Sequence, residues 1–266
     1  MNESDLAPPI VLSALAAQTL GRPYVCLPEC TSTNDEVATR AAKNAAEGLL
    51  IAAETQTSGR GRRGRAWHSP GGENLYFSLL LRPPLPAAAV SPLTLLAGAA
   101  LGQTLARLGF APRLKWPNDL LLDTAQGLRK VAGILTEMAS EAGIVRHVVL
   151  GVGINVNGQA FPDDLNGRAT SLRLVRGQAL SRGAVLATFI NAFEPIYRTL
   201  LTDGPQAGLD EWRNFGLLGQ ACVVERTPPI EGVAVDVDAS GALVVRRGDG
   251  TTISVHSGEV NWQASR

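Results

Sequence analysis

Gly59-Arg60-Gly61-Arg62-Arg63-Gly64-Arg65-Ala66-Trp67 (GRGRRGRAW) sets four arginines among three glycines in one short stretch. It lies between two apolar runs that read as strands, Leu49 to Ala53 and Leu75 to Arg82, so it is a loop carried by a sheet. Glycine reaches positive φ and lets backbone N–H groups approach a ligand, and arginine presents a forked set of donors to phosphate or carboxylate. Taken alone, the string fits three roles: a nucleic-acid contact, a flexible solvated loop, or a loop that closes over a nucleotide phosphate. Nucleic-acid domains carry a basic surplus across a whole face, whereas this chain balances 24 Lys and Arg against 24 Asp and Glu.

On either side of the loop, extended apolar runs alternate with helical patterns, as in an α/β or α+β domain. Thr33 and Glu36 have capping-box spacing, which predicts a helix from there to about Ala46. Ser91 to Leu108 predicts an alanine-rich buried helix. Arg113 to Trp116, Leu120 to Asp123, Val131 to Met138 and Val145 to Val152 predict further strands of the sheet. Between Gly183 and Leu201, the residues Val185, Leu186, Phe189, Ile190, Phe193, Ile196, Tyr197 and Leu200 fall at steps of one, three and four. That is the apolar face of one long helix, which Pro195 should kink. Beyond Gly216 the pattern changes to five short runs, ACVVE, GVAVDVD, ALVVRR, TTISVH and EVNW, separated by Gly and Asp turns. They predict a small β-barrel. The chain therefore divides into residues 1–215 and residues 216–266.

At 266 residues the chain can bury a substantial core and still carry such an appendage. The polar start MNESDLAPP lacks the basic and apolar regions of a signal peptide. Ala87 to Phe110 is interrupted by Pro92, Thr94, Gln103 and Arg107, so it predicts a core helix; a membrane span needs roughly 20 nearly uninterrupted apolar residues. Three cysteines, an odd and small number, point to a reducing, cytoplasmic compartment, and Cys26 and Cys30 have no nearby histidine to complete a metal site.

Four further stretches bear on the arginine loop. Lys115-Trp116-Pro117-Asn118-Asp119 gathers a cation, a rigid proline and a carboxylate at a strand end, where Pro117 keeps Trp116 extended and displays Asn118 and Asp119 in a turn. Lys130-Val131-Ala132-Gly133-Ile134-Leu135 places one cation at the mouth of an apolar strand. Gly151-Val152-Gly153-Ile154-Asn155 ends a strand with two glycines and an amide, a pattern also produced by plain turns or bulges. Ser32-Thr33-Asn34, with Gln56, adds a polar cluster at a helix start.

In this order, STN, TQTSGRGRRGRAW, KWPNDLLL, KVAGILTE and GVGINVN resemble the motifs of the biotin protein ligases, and the resemblance runs from about Cys30 to Asn157. It continues more loosely to Gly258-Glu259-Val260, where the small β-domain looks like the family's SH3-like module. The resemblance implies a class II synthetase-like, mixed-sheet catalytic domain of the biotin/lipoate ligase type. It implies adenylation of biotin by ATP and Mg²⁺ to biotinyl-5′-AMP, then transfer to a lysine of the biotin carboxyl carrier protein of acetyl-CoA carboxylase or a similar carboxylase. About 25 residues precede the strand before Ser32, too few for the winged-helix DNA-binding domain of some members. The expectation is a ligase without repressor activity or membrane attachment, as a monomer or a homodimer.

By motif match, Lys130 and Arg62 are expected on the biotin carboxylate and the α-phosphate, and Asp119 is expected to receive the carrier lysine. Lys115 is expected to support phosphates or to pair with Asp119. Ser32, Thr33, Asn34, Gln56, Arg60, Gly61 and Gly133 match the biotin-binding positions. Arg65, Trp67, Asn118 and Asn155 match the nucleotide side, although Trp67 is equally read as a core anchor, and no protein metal ligand is expected. The stretch Asp123 to Arg129 is longer than the usual hairpin, which leaves Arg129 as a lesser candidate for the Lys130 role. A lipoate ligase and a non-enzymatic biotin-binding regulator are the alternatives. The loop is expected to order on binding and to hold an adenylate that water would otherwise hydrolyse.

Overall fold

A computed structural model describes residues 4–262; positions 1–3, the start of the polar stretch, and 263–266 lie outside it. The first elements are α1 (Pro8–Ala14), β1 (Tyr24–Cys30), α2 (Thr33–Ala42), β2 (Leu50–Gln56) and β3 (Leu75–Leu81). Next come α3 (Leu93–Arg107), β4 (Pro112–Lys115), β5 (Asp119–Thr124), β6 (Gly127–Glu141) and β7 (Ile144–Ile154). The helices α4 (Leu172–Arg176), α5 (Arg182–Asp203) and α6 (Gln206–Phe215) complete the larger part. Seven strands form one mixed sheet in the order β1-β2-β3-β7-β6-β5-β4. Only β1 and β2 are parallel; all other neighbours are antiparallel.

The strand β3 is buried on both faces along its whole length, which explains the near-continuous apolar run LYFSLLL. On one face α2 packs Val37 and Ala41 against Ile51, Leu80 and Val149. On the other, α3 and α5 cover the sheet, with the Phe77 ring tilted against that of Phe189, centroids 5.3 Å apart. Eleven of the fifteen residues of α3 are buried, so its apolar character belongs to the core, as expected. The predicted periodicity of α5 is realised, and the helix is continuous through Pro195.

Two local expectations need correction. The capping box does not form: Ser32 occupies the N-cap without a side-chain bond, and the helix stops at Ala42. Gln56 takes the role instead, its Oε1 accepting the Thr33 N–H at 2.9 Å. Helices α1, α4 and α6 were not legible as periodic segments, because each buries only one to three residues. The long Asp123–Arg129 stretch is itself ladder: β5 and β6 stay paired out to Thr124 and Gly127, after a bulge at Leu120/Leu121. The extra length therefore extends the hairpin outward and leaves Lys130 opposite Leu121.

The five predicted C-terminal strands all form: β8 (Ala221–Glu225), β9 (Ile230–Val237), β10 (Leu243–Arg246), β11 (Thr252–Val255) and β12 (Glu259–Trp262). They make an antiparallel sheet in the order β11-β10-β9-β8-β12. Its contacts with the larger part include two hydrogen bonds. The indole of Trp116 donates to the Gly241 carbonyl (3.0 Å), and Arg213 on α6 donates to Asp236 (2.6 Å).

Candidate active site

A cleft of about 510 Å³ opens over β6 and β7, within the range of small-molecule sites, roughly 300–1,000 Å³. Every residue singled out from the sequence lines it, although the positions span residues 32 to 155. At one end lies a polar corner. Ser32, Thr33 and Asn34 are all nearly inaccessible at the start of α2. The Thr33 hydroxyl lies 3.2 Å from Gln56 Oε1, and the Gln56 amide donates onward to Ser69 at 3.0 Å, which fixes the orientation of that amide. Ser78, the one polar residue of β3, donates to Asn34 Oδ1 at 2.5 Å and lies 2.7 Å from Thr33 Oγ1. Asn34 Nδ2 then donates to Glu137 on β6 at 2.6 Å.

The cleft floor explains the glycines. Gly133 on β6 stands opposite Gly153 on β7. A Cβ on Gly153 would lie 2.5 Å from the Trp67 indole, and one on Gly133 would lie 3.1 Å from the same ring. A Cβ on Gly151 would come within 2.0 Å of Asn34 Oδ1. These glycines serve close approach, and the bare strand lets Trp67 and Asn34 lie flat on the sheet. Trp67 therefore belongs to the cleft and not to the core: the Lys130 ammonium sits 5.2 Å from its ring centroid, and its buried Nε1 has no hydrogen-bond partner among the described residues.

At the other end four charges meet. Lys130 Nζ is 2.6 Å from Asp119 Oδ1. The alternative partner for this carboxylate, Lys115, faces Asp119 across the β4/β5 ladder and makes no such pair. Burial pulls the Lys115 ammonium below its ordinary pKa, against the pull of Asp119, so its charge is poorly compensated. Burial likewise lowers Arg62, with Arg63 adding to it, and Arg62 reaches Asn118 Oδ1 at 3.3 Å. Asn155 sits in the wall with its amide donated to the Thr170 carbonyl at 3.0 Å. The site thus holds more positive charge than it can neutralise, which suits an anionic ligand.

The arginine loop is a small hairpin. Arg60 bridges to Ala66, and a 3-10 turn spans Arg62–Gly64, with Arg63 (φ 57°) and Gly64 (φ 72°) in left-handed conformations at the tip. Arg60 is held at the base by Asp35 (2.9 Å) and Glu137 (2.6 Å). Arg65 makes an ion pair with Glu259 of β12, and Arg63 lies 3.8 Å from the same carboxylate. Hydrogen bonding to Arg65 holds the Glu259 carboxyl below its usual range.

Residues 27–155 match the model of the biotin/lipoate A/B protein ligase family, and residues 217–261 match that of the biotin protein ligase C-terminal domain. The bifunctional ligase/repressor BirA of Bacillus subtilis is 36% identical over 89% of this chain and 73% of its own. The chain is a biotin protein ligase. The biotin--[acetyl-CoA-carboxylase] ligase of Mycobacterium tuberculosis is 34% identical over 98% of each chain. The biotin protein ligase of Aquifex aeolicus in complex with biotin and ATP superposes with a TM-score of 0.79 at 27% identity, covering 92% of this chain and all of that one. The ligase fold expected from the motifs is therefore present, the C-terminal sheet falls in the family's own terminal domain, and ATP-dependent activation and transfer of biotin is the activity.

Sequence reasoning missed three residues of the ligase's cleft network: Ser78, Glu137 and Glu259. Ser78 is a lone polar residue in an apolar strand, which is the one hint available, since a buried hydroxyl needs a partner. Glu137 and Glu259 close onto arginines 77 and 194 positions away, so only the fold reveals them.

Proposed function

We propose that the ligase divides its cleft into a biotin end at Ser32, Thr33, Asn34 and Gln56 and a phosphate end at Lys130, Lys115 and Arg62. The observation that carries this reading is the Lys130–Asp119 pair, 2.6 Å apart at the phosphate end. In the first half-reaction a biotin carboxylate oxygen attacks the α-phosphorus of ATP, the bond to the β-phosphate breaks, and pyrophosphate leaves. Lys130 and Arg62 stabilise the charge that gathers on the phosphoryl oxygens. Lys130 can do this only by exchanging Asp119 for the incoming anions. That exchange frees the carboxylate for the second half-reaction. There the carrier lysine attacks the biotinyl carbonyl carbon, AMP leaves, and Asp119 receives the amine's proton. One contact thus orders the two steps.

Trp67 offers its face to the adenine, with Asn118 and Asn155 on the nucleotide side and Arg65 at the rim. Backbone at Arg60 and Gly61, with Gly133, completes the biotin slot. Mg²⁺ would enter as a companion of the ATP phosphates, whose oxygens supply the hard ligands it prefers. The acceptor is the carrier of acetyl-CoA carboxylase or a similar carboxylase, supported by the name of the Mycobacterium tuberculosis relative. The separate matches of residues 27–155 and 217–261 to two family models support two domains divided near residue 215. The free thiols of Cys26, Cys30 and Cys222 support a reducing, cytoplasmic setting.

The test is biotin-dependent exchange of labelled pyrophosphate into ATP, with lipoate in parallel, followed by transfer to a carboxylase carrier domain. Exchange with biotin alone that Lys130→Ala abolishes is the expected outcome. Exchange that persists undiminished in Lys130→Ala would remove this lysine from the chemistry, and tight biotin binding without exchange would favour a regulator.

A further inference from the structure

A single carboxylate oxygen joins the two halves of this site. Glu137 Oε2 accepts from Asn34 Nδ2 in the polar corner and from Arg60 Nη2 at the base of the arginine hairpin, each at 2.6 Å. Asn34 has no freedom to turn away, because Ser78 donates to its other side-chain atom from a fully buried position. Arg60 is equally constrained: Asp35, next to Asn34 in the chain, takes the same guanidinium nitrogen at 2.9 Å, and the bridge to Ala66 closes the hairpin just above. The result is one continuous path from Gln56 through Thr33, Ser78, Asn34 and Glu137 to Arg60. Two residues beyond Arg60 stands Arg62, the loop's phosphate-facing arginine.

We propose that Glu137 is a positioning residue that couples occupancy of the biotin corner to closure of the arginine hairpin. The inference rests on the biotin-end assignment of Asn34 made above. A ligand that fixes Asn34 fixes the Glu137 carboxylate, and the carboxylate fixes Arg60. Linkage makes the effect reciprocal, so a closed hairpin holds the biotinyl group more tightly. Arg60 and Glu137 are each 40% exposed, and ion pairs at such rims contribute little to folding. This weakness separates coupling from scaffolding: loss of the carboxylate should change the adenylate's fate far more than the protein's stability.

The test uses the full chain, ATP, biotin and a carboxylase carrier domain, and compares Asn34→Ala, Arg60→Ala, Glu137→Ala and Glu137→Gln. Two quantities are read: the KM for biotin in pyrophosphate exchange, and the ratio of biotinyl-adenylate released into solution to carrier biotinylated. That ratio is independent of how much enzyme is folded. Asn34→Ala is expected to raise the biotin KM, Arg60→Ala to raise the release ratio, and Glu137→Ala to raise both, each by about fivefold, with an almost unchanged unfolding midpoint in the two rim variants, Arg60→Ala and Glu137→Ala. Glu137→Gln, which retains an acceptor without the charge, should recover part of both effects. The double variant Glu137→Ala with Arg60→Ala should release no more adenylate than Glu137→Ala alone, because both remove one contact.

An unchanged release ratio in Glu137→Ala, or additive effects in the double variant, overturns the coupling. If Asn34→Ala leaves the biotin KM unchanged while Lys130→Ala still abolishes exchange, the assignment of the biotin corner has failed and the coupling fails with it. If Asn34→Ala raises the KM and Glu137→Ala changes neither quantity, the corner stands and only the coupling is wrong.

Discussion

Gly151→Ala isolates the packing on which the polar corner depends. The added Cβ would stand 2.0 Å from Asn34 Oδ1 and 2.9 Å from its Cγ, far inside contact distance. Asn34 cannot yield cheaply, because Ser78 holds its oxygen at 2.5 Å and Glu137 holds its nitrogen at 2.6 Å. Expelling the amide forfeits two hydrogen bonds, each contributing about 1 kcal/mol net. Overpacking a tight site adds roughly 1–3 kcal/mol, so the expected loss of stability is about 3–5 kcal/mol. Biotin affinity should fall about tenfold or more, because the corner loses its Asn34 donor. Chemical denaturation gives the first quantity and calorimetric titration with biotin the second. A second substitution checks the cause: Asn34→Ala removes the atoms that clash, so Gly151→Ala with Asn34→Ala should be more stable than Gly151→Ala alone. A Gly151→Ala enzyme within 0.5 kcal/mol of the parent by a rough ledger, binding biotin normally, would refute the close-approach account of this glycine.

The remaining predictions concern the loop, its anchor and the amino-terminal segment. Arg62→Gly is expected to keep adenylate formation and to release the intermediate, seen as promiscuous biotinylation of bystander lysines; tight retention would count against the loop's role. Glu259→Gln should raise the ATP KM by a small factor, up to about fivefold, since Arg65 is largely exposed and such pairs contribute about 1 kcal/mol at most. Deleting residues from Gly219 onward should abolish ligation, because it removes the Gly241 acceptor of Trp116 as well as Glu259; full activity in a folded truncation would sink that expectation. Acid should loosen the amino-terminal segment. Burial raises the carboxyls of Glu194 and Glu54, but backbone donors from residues 18–20 and the side chains of Arg182 and Ser4 outweigh it, so both lie below the usual 4.5. Their contribution is fully present above that value and is lost as pH falls through the lowered values. Hydrogen-exchange protection factors of residues 4–20, corrected for the intrinsic exchange rate at each pH, should therefore be the same at pH 7 and pH 6 and fall only under strongly acidic conditions.

What could be read from the sequence was whatever depends on neighbours along the chain. The spacing of Phe189, Phe193 and Tyr197 predicts a buried helical face, and these rings stack at 5.7 and 6.0 Å. The strands were legible because β3 and β7 carry apolar runs between turn residues. The capping box failed for a nonlocal reason: Gln56, 23 positions from Thr33, supplies the acceptor that Glu36 was expected to supply, and Glu36 pairs with Arg40 instead. Likewise the GVG stretch looked like a turn signal because the side chains that require bare backbone there, Asn34 and Trp67, arrive from α2 and from the arginine loop.

The candidate cleft shows the same division. Lysines and arginines in distinctive strings mark where cations will be, because a short motif confines them near a strand end. Which carboxylate each cation meets is decided by sheet order. Asp119 sits across one ladder from Lys115 and across the other from Gly133, and the bulge at Leu120/Leu121 brings Lys130 to the neighbouring register position on β6. That bulge shifts the register of β6 against β5 and sets Lys130 opposite Leu121, from where its long side chain returns to Asp119 at 2.6 Å while the half-buried Lys115 makes no such pair. A one-residue irregularity in a hairpin therefore determines which lysine is neutralised at rest and which is left to attract the phosphates, and no residue type in the KWPND or KVAGIL strings encodes it alone.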